Sequence, residues 1–100
     1  MPNPKKPRPK APPAPKSLHR PEYKAVLATL LEIREEADLL QAELGKKLRR
    51  SQSYVSMAER GAIRLDPLQL RDWCLACETT LAAYVDKLER RLSQSKETDR

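Results

Sequence analysis

Two sets of residues have the types and spacing to do chemistry. The first is Cys74-Leu75-Ala76-Cys77, whose sulfurs lie three residues apart, as in redox dithiols and in half of a zinc site. The same spacing puts both on one face of a helix. No second cysteine pair completes a tetrahedral set, and the only histidine is His19, far away in sequence. Core packing is therefore the expected role of the two cysteines, with redox sensing and metal binding as the other readings. Serines and carboxylates are plentiful, but with the one histidine outside the expected core they assemble no Ser-His-Asp or Cys-His set, and no glycine-rich phosphate loop is present. No enzyme, no cofactor and no metal site are expected. The second set is cationic: Lys46, Lys47, Arg49, Arg50, Arg60 and Arg64 face only Glu59 between positions 46 and 64. A local excess of that kind suits a phosphate backbone, the bland alternative being a solvated charged surface.

The elements that must position this patch are two short helices joined by a sharp reversal. The stretch QAELGKKLRRSQSYVSMAERG spans residues 41–61. Its first helix, from Gln41 to Leu48, sets Leu44 and Leu48 on one face. Its second, from Gln52 to Arg60, turns Val55 inward with the small Ser56 and Ala58 beside it. Arg49-Arg50-Ser51 leaves room only for a tight turn, and Ser51 is placed to cap the second helix. A slender polar second helix after such a turn predicts a helix-turn-helix, in which that helix enters a DNA major groove. Gln52 has the donor and acceptor needed to read adenine N6 and N7, and Ser53 suits either an edge or a phosphate. Lys47 and Arg50 are natural phosphate partners, and Arg64 belongs to the same basic run. Tyr54 is open between a hydroxyl-to-phosphate contact and a ring leaning on the preceding helix. Glu59 is expected to be structural, paired with Arg49 or Arg60.

Around this pair the chain reads as helical throughout. A helix beginning near Pro21, in the N1 position, and running to about Ala37 presents Tyr23, Val26, Leu27, Leu30, Leu31 and the stem of Arg34 as its apolar stripe. Leu39 is expected to follow it into the core, and Glu35, Glu36 and Asp38 to answer the basic turn. Asp66-Pro67-Leu68-Gln69 forms a capping box with proline at N1, opening a fourth helix that buries Leu70, Trp73, Cys74 and Cys77. Thr79 or Thr80 caps a fifth helix with a stripe of Leu81, Tyr84, Val85, Leu88 and Leu92. That stripe outruns the core a small domain needs, which predicts a partner, most economically a second copy pairing through Tyr84, Val85, Leu88 and Leu92.

The remaining signal is compositional. Eight of the nine prolines fall in residues 1–21, and the first twenty residues hold six basic and no acidic side chains, equal to the whole net charge of +6. From Pro21 onward fourteen basic residues balance fourteen acidic ones. Residues 1–19 thus read as a disordered Pro/Lys-rich arm, residues 20–92 as the domain with its pairing helix, and residues 93–100 as a polar tail. The arm suits nonspecific DNA affinity, solubilisation or an aromatic groove that takes proline-rich ligands. Neither a signal peptide nor a membrane span is expected, and two cysteines fit a reducing compartment.

The central stretch resembles the Cro/C1-type (XRE-like) helix-turn-helix DNA-binding proteins. Gln41 and Glu43-Leu44 match the opening of that family's second helix, Ser51-Gln52-Ser53 its recognition-helix start, and Glu59-Arg60-Gly61 its closing motif. Leu70, Trp73, Cys74 and Cys77 take the core positions of its downstream helix. The likeness covers roughly Pro21 to Val85. It implies an all-α, compact five-helix, lambda-repressor-like domain in which Gln41 contacts a phosphate, while Gln52, Ser53, Ser56 and Met57 approach base edges. Where the family places glycine, this chain has Asp38, Arg49 and Glu78, and Leu40 replaces the usual Ser/Thr cap of the second helix. The function expected is a sequence-specific regulator of transcription: a small dimeric repressor on double-stranded DNA at an inverted repeat, cytoplasmic and encoded by a bacterium or phage. The rival is a protein-interaction module, antitoxin-like or an adaptor, that binds a partner such as a toxin through the last helix. Single-stranded RNA binding is disfavoured by the scarcity of aromatics.

Overall fold

A computed structural model describes residues 20–98, with side chains as far as Gln94, so the expected arm at residues 1–19 lies outside the described residues. Five helices follow one another: α1 (Tyr23–Glu36), α2 (Gln41–Lys47), α3 (Gln52–Glu59), α4 (Pro67–Ala76) and α5 (Leu81–Thr98). The N-terminal boundaries follow local chemistry. Asp66 accepts from the Gln69 N–H at 2.8 Å while Gln69 accepts from the Asp66 N–H at 2.9 Å, so the predicted capping box closes with Pro67 at N1. Thr80, rather than Thr79, caps α5, its hydroxyl accepting from the Ala83 N–H at 3.0 Å. Helix α2 lacks a side-chain cap because Leu40 has no acceptor, and only the return bond is made, from the Leu40 N–H to Glu43 at 2.8 Å. Pro21 lies two residues before α1, in a turn whose Arg20 carbonyl accepts from the Tyr23 N–H, so the expected N1 role is not taken up.

The C-terminal boundaries share one device. After α1, α2 and α4 the chain turns through the left-handed region at Asp38 (φ 59°), Arg49 (φ 57°) and Glu78 (φ 60°), and after α3 at Gly61 (φ 81°). In each case the next N–H reaches back to a carbonyl in the last turn: Leu39 to Arg34, Arg50 to Gly45, Ala62 to Met57 and Thr79 to Cys74. These are Schellman closures, which satisfy carbonyls that the helix end would otherwise leave free. Three of the four use residues with a Cβ, at the positions where the resemblance implied glycine.

The core is built from Leu30, Ile33, Leu44, Val55, Ala58, Trp73, Cys74, Cys77 and Tyr84. Helix α1 packs on α5 and α3, α2 on α3 and α4, and α4 on α5. The buried face of α1 is Thr29, Leu30 and Ile33, while Leu31, expected inward, is exposed. The inward face is therefore turned from the expected stripe, and Ile33 replaces Leu31 on it. Two ring groups tie later helices to α1: the Trp73 indole N–H donates to the Leu30 carbonyl at 3.4 Å, and the Tyr84 hydroxyl to the Val26 carbonyl at 3.3 Å. At the rim Lys87 reaches Glu32 at 2.8 Å and Glu36 at 3.3 Å, and Arg91 also pairs with Glu32. Glu36 thus answers α5 and not the basic turn.

Candidate nucleic-acid interface

The interface is framed by how closely α2 and α3 meet. Gly45 is fully inside the pair, and a Cβ there would stand 3.0 Å from the Arg50 carbonyl oxygen and the Ser51 carbonyl group. Any side chain would push the turn off α2. The turn then swings through Arg49, and the Ser51 hydroxyl accepts from the Tyr54 N–H at 3.1 Å, which starts α3 as the sequence predicted. Val55 and Ala58 face the core, leaving Gln52 and Ser53 exposed and Ser56 and Met57 half-buried.

A polar chain runs from the core to the tip of α3. The Arg34 guanidinium donates to Glu59 through Nε at 2.6 Å and through a terminal nitrogen at 3.1 Å, and to the Leu39 carbonyl at 2.7 Å. Both side chains are nearly buried, 12% and 8% exposed, so the fork of the guanidinium is matched to the carboxylate out of water. The Glu59 hydrogen bond holds the Arg34 guanidinium above its ordinary pKa, against the opposing effect of burial. The expected partners of Glu59, Arg49 and Arg60, are thus replaced by a residue twenty-five positions away. Glu59 also accepts from the Gln41 side-chain amide at 2.9 Å, and the Gln41 oxygen accepts from the Gln52 amide at 3.4 Å. The candidate phosphate ligand Gln41 and the candidate reader Gln52 are therefore brought together. Sequence spacing carried no signal of the Arg34–Glu59 link, because it joins helices that only the fold makes neighbours.

Cations surround this chain. Lys46, Lys47, Arg49 and Arg50 are all exposed around the turn. The Arg50 guanidinium lies 4.6 Å from the centre of the Tyr54 ring, a cation–π arrangement that restrains a long side chain at the turn. Tyr54 is half-buried against the core, and burial raises its hydroxyl pKa, so at neutral pH it is a neutral donor. Arg64 lies on the link between α3 and α4, where it lines a groove with Tyr23, Asp66 and Gln69.

Two expected sites change character. Tyr84, named for a pairing surface, is 1% exposed and fills the core of its own chain, so it is unavailable to a second copy. Of that set Val85 is exposed, while Leu88 and Leu92 are half-buried. Cys74 and Cys77 are buried core residues whose thiols burial pushes up to about 11, which leaves little thiolate for redox or metal chemistry. Among the described residues no group of three or more His, Cys, Asp or Glu side chains could hold a metal ion, and no helix is long and apolar enough to cross a membrane.

Comparison with known proteins places this geometry. The sequence profile of the helix-turn-helix family matches residues 30–84. An XRE-family like protein from Pseudomonas syringae pv. tomato str. DC3000 is similar at 39% identity and TM-score 0.67, over 75% of this chain and 92% of that one. The clp gene regulator ClgR from Corynebacterium glutamicum is similar in fold, with a TM-score of 0.69 and 22% identity over 87% of each chain. A second ClgR structure matches at 25% identity and TM-score 0.62, over 77% of this chain and 92% of that one. No curated protein matches the chain. With the profile spanning the five-helix core and a relative of this identity covering three quarters of the chain, the protein belongs to the XRE, or Cro/C1-type, helix-turn-helix family of DNA-binding transcriptional regulators.

Proposed function

We propose that this regulator reads duplex DNA as a homodimer at a short inverted repeat and represses by occupying a promoter. The observation that carries the reading is the Gln52–Gln41–Glu59–Arg34 chain. It holds an amide at the exposed start of α3 on a partner that is itself fixed in the core, so little side-chain entropy is lost when Gln52 meets an adenine edge. Ser53, Ser56 and Met57 extend the reading surface; Met57 offers only apolar contact, as with a thymine methyl. Gln41, Lys47, Arg50, Tyr54 and Arg64 hold phosphates. Pairing through Val85, Leu88 and Leu92 puts two recognition helices on half-sites about one helical turn, roughly 34 Å, apart. ClgR is itself a regulator of clp genes, which accords with this role. The setting proposed is the cytoplasm of a bacterium or of a phage-infected cell.

Selection of bound duplexes from a random pool at about 0.15 M salt tests the reading, with the full chain and a version starting at Ser17. Both proteins should enrich a palindrome. Enrichment by neither, with salt-sensitive binding that disappears with the first sixteen residues, would overturn it. That outcome would favour the second reading, a module that binds another protein through α5, for which the 45% exposure of Val85 speaks.

A further inference from the structure

Helix α3 has eight residues and an axis about 12 Å long, close to the roughly 12 Å width of the major groove. Its N-terminal end carries the cations of the turn. Its C-terminal end closes on a recess of about 360 Å³ to which no role has been given, rimmed by Arg20, Lys24 and Arg60 and floored by Leu27 and Gly61. The recess exists because Gly61 carries no side chain: a Cβ there would stand 3.2 Å from a Leu27 methyl, and the left-handed φ of 81° disfavours one in any case. The start of α1 is folded over the same corner by the bond from the Tyr23 N–H to the Arg20 carbonyl.

The charge in this corner is positive and available. Among the described residues Lys24 and Arg60 make no ion pair, and both are exposed. Glu59, next to Arg60, is already committed to Arg34 and Gln41. Arg20 pairs with Glu22 at 2.7 Å, but their side chains are 54% and 49% exposed, and such a pair holds weakly and exchanges readily for another anion. Three guanidinium or ammonium groups against one carboxylate leave an excess of two positive charges. The recess is shallow and open, which suits a chain of phosphates running past it more than a small enclosed ligand.

We propose that Arg20, Lys24 and Arg60 form a second phosphate site, which grips the phosphodiester backbone on the far wall of the major groove that receives α3. The inference rests on the duplex-reading role above. With cations at both ends, α3 is held between two backbones, and its orientation in the groove is set independently of the bases it reads. The basic stretch that precedes the domain joins it at Arg20, so the charge of that stretch is continuous in sequence with the recess.

The test is the double variant Lys24→Ala/Arg60→Ala in the full chain. Its binding is measured against a duplex enriched from the random pool and against a mixed-sequence duplex of equal length, between about 50 and 200 mM salt. The expected result is a salt slope lower by about two on both duplexes and affinity roughly tenfold weaker at 0.15 M salt, with the melting temperature unchanged. Lys47→Ala, at the turn, is the reference and should lower the slope by about one. An unchanged slope in the double variant while Lys47→Ala lowers it would overturn the second site and leave the duplex-reading role standing. A loss confined to the enriched duplex would also overturn it, since phosphate contacts carry no sequence preference. Failure of the unaltered protein to bind either duplex would remove the duplex-reading role itself, and the second site with it.

Discussion

Glu59 receives three hydrogen bonds, two from Arg34 and one from Gln41, and it is where stability and recognition meet in a single side chain. Glu59→Ala strands a nearly buried guanidinium, and removing one partner of such a pair costs about 3 kcal/mol or more. Chemical denaturation should register that loss as a lower midpoint. Gln41→Ala acts differently. It leaves the Arg34–Glu59 pair intact and removes the support of Gln52, so stability should change little while preference for the enriched duplex over mixed-sequence DNA falls. Gln52→Ala should reduce the same preference directly. Equal losses on both duplexes for Gln52→Ala would mean that it holds the backbone rather than reading a base. At this scale the sequence revealed the actors but not their pairing. Gln41, Gln52 and Glu59 stand out by residue type and position, whereas Arg34 reads as one more stem on an apolar stripe until α1 is packed against α3.

Helix ends carry the next level of argument. Asp38, Arg49 and Glu78 hold left-handed backbone that a Cβ makes unfavourable by roughly 1–2 kcal/mol, offset in part by the greater freedom glycine has in the unfolded chain. Glu78→Gly should therefore raise stability by about 0.5–1 kcal/mol with DNA binding unchanged. Arg49→Gly should raise stability similarly but weaken binding, because it also removes a cation beside the turn. Thermal melts with paired binding curves separate the two effects. These closures were legible because the family pattern marks where glycine stands. The Asp66 capping box was legible because capping chemistry is local. The inward face of α1 was not: Leu31 and Ile33 are both large and aliphatic, and only contact with α3 and α5 decides that Ile33 is buried and Leu31 is not. The burial of Tyr84 was hidden for the same reason. Periodicity put it correctly on the apolar side of α5, but not against its own chain's α1 carbonyl.

Across the whole molecule, α5 is held by two kinds of force with different sensitivities. On one side of it Tyr84 and Leu88 pack on the core, and Lys87 and Arg91 clasp Glu32 on α1. Hydrogen bonds from Lys87 and then Arg91 lower the Glu32 pKa. A carboxylate whose folded pKa is depressed stabilises the fold fully above its unfolded value, near 4.3, and loses that contribution as pH falls through the folded value. The clasp should thus be intact at neutral pH and loosen in the acid range, and added salt should weaken it too, as its members are about one-third exposed. Melting temperature should fall between about pH 5 and 3, and Glu32→Gln should remove part of that dependence while lowering stability at pH 7. The exposed valine on the same helix gives the complementary test. Val85 is exposed and does not belong to the core or to the hydrophobic residues packed against it, so Val85→Glu should change the melting temperature of the monomer little. If α5 pairs two copies, that variant should sediment as a monomer, and it should bind the palindrome much more weakly than the unaltered protein while keeping comparable affinity for an isolated half-site. Retention of the dimer would move the pairing surface elsewhere, with the exposed Leu68 and Leu75 of α4 the next residues to change.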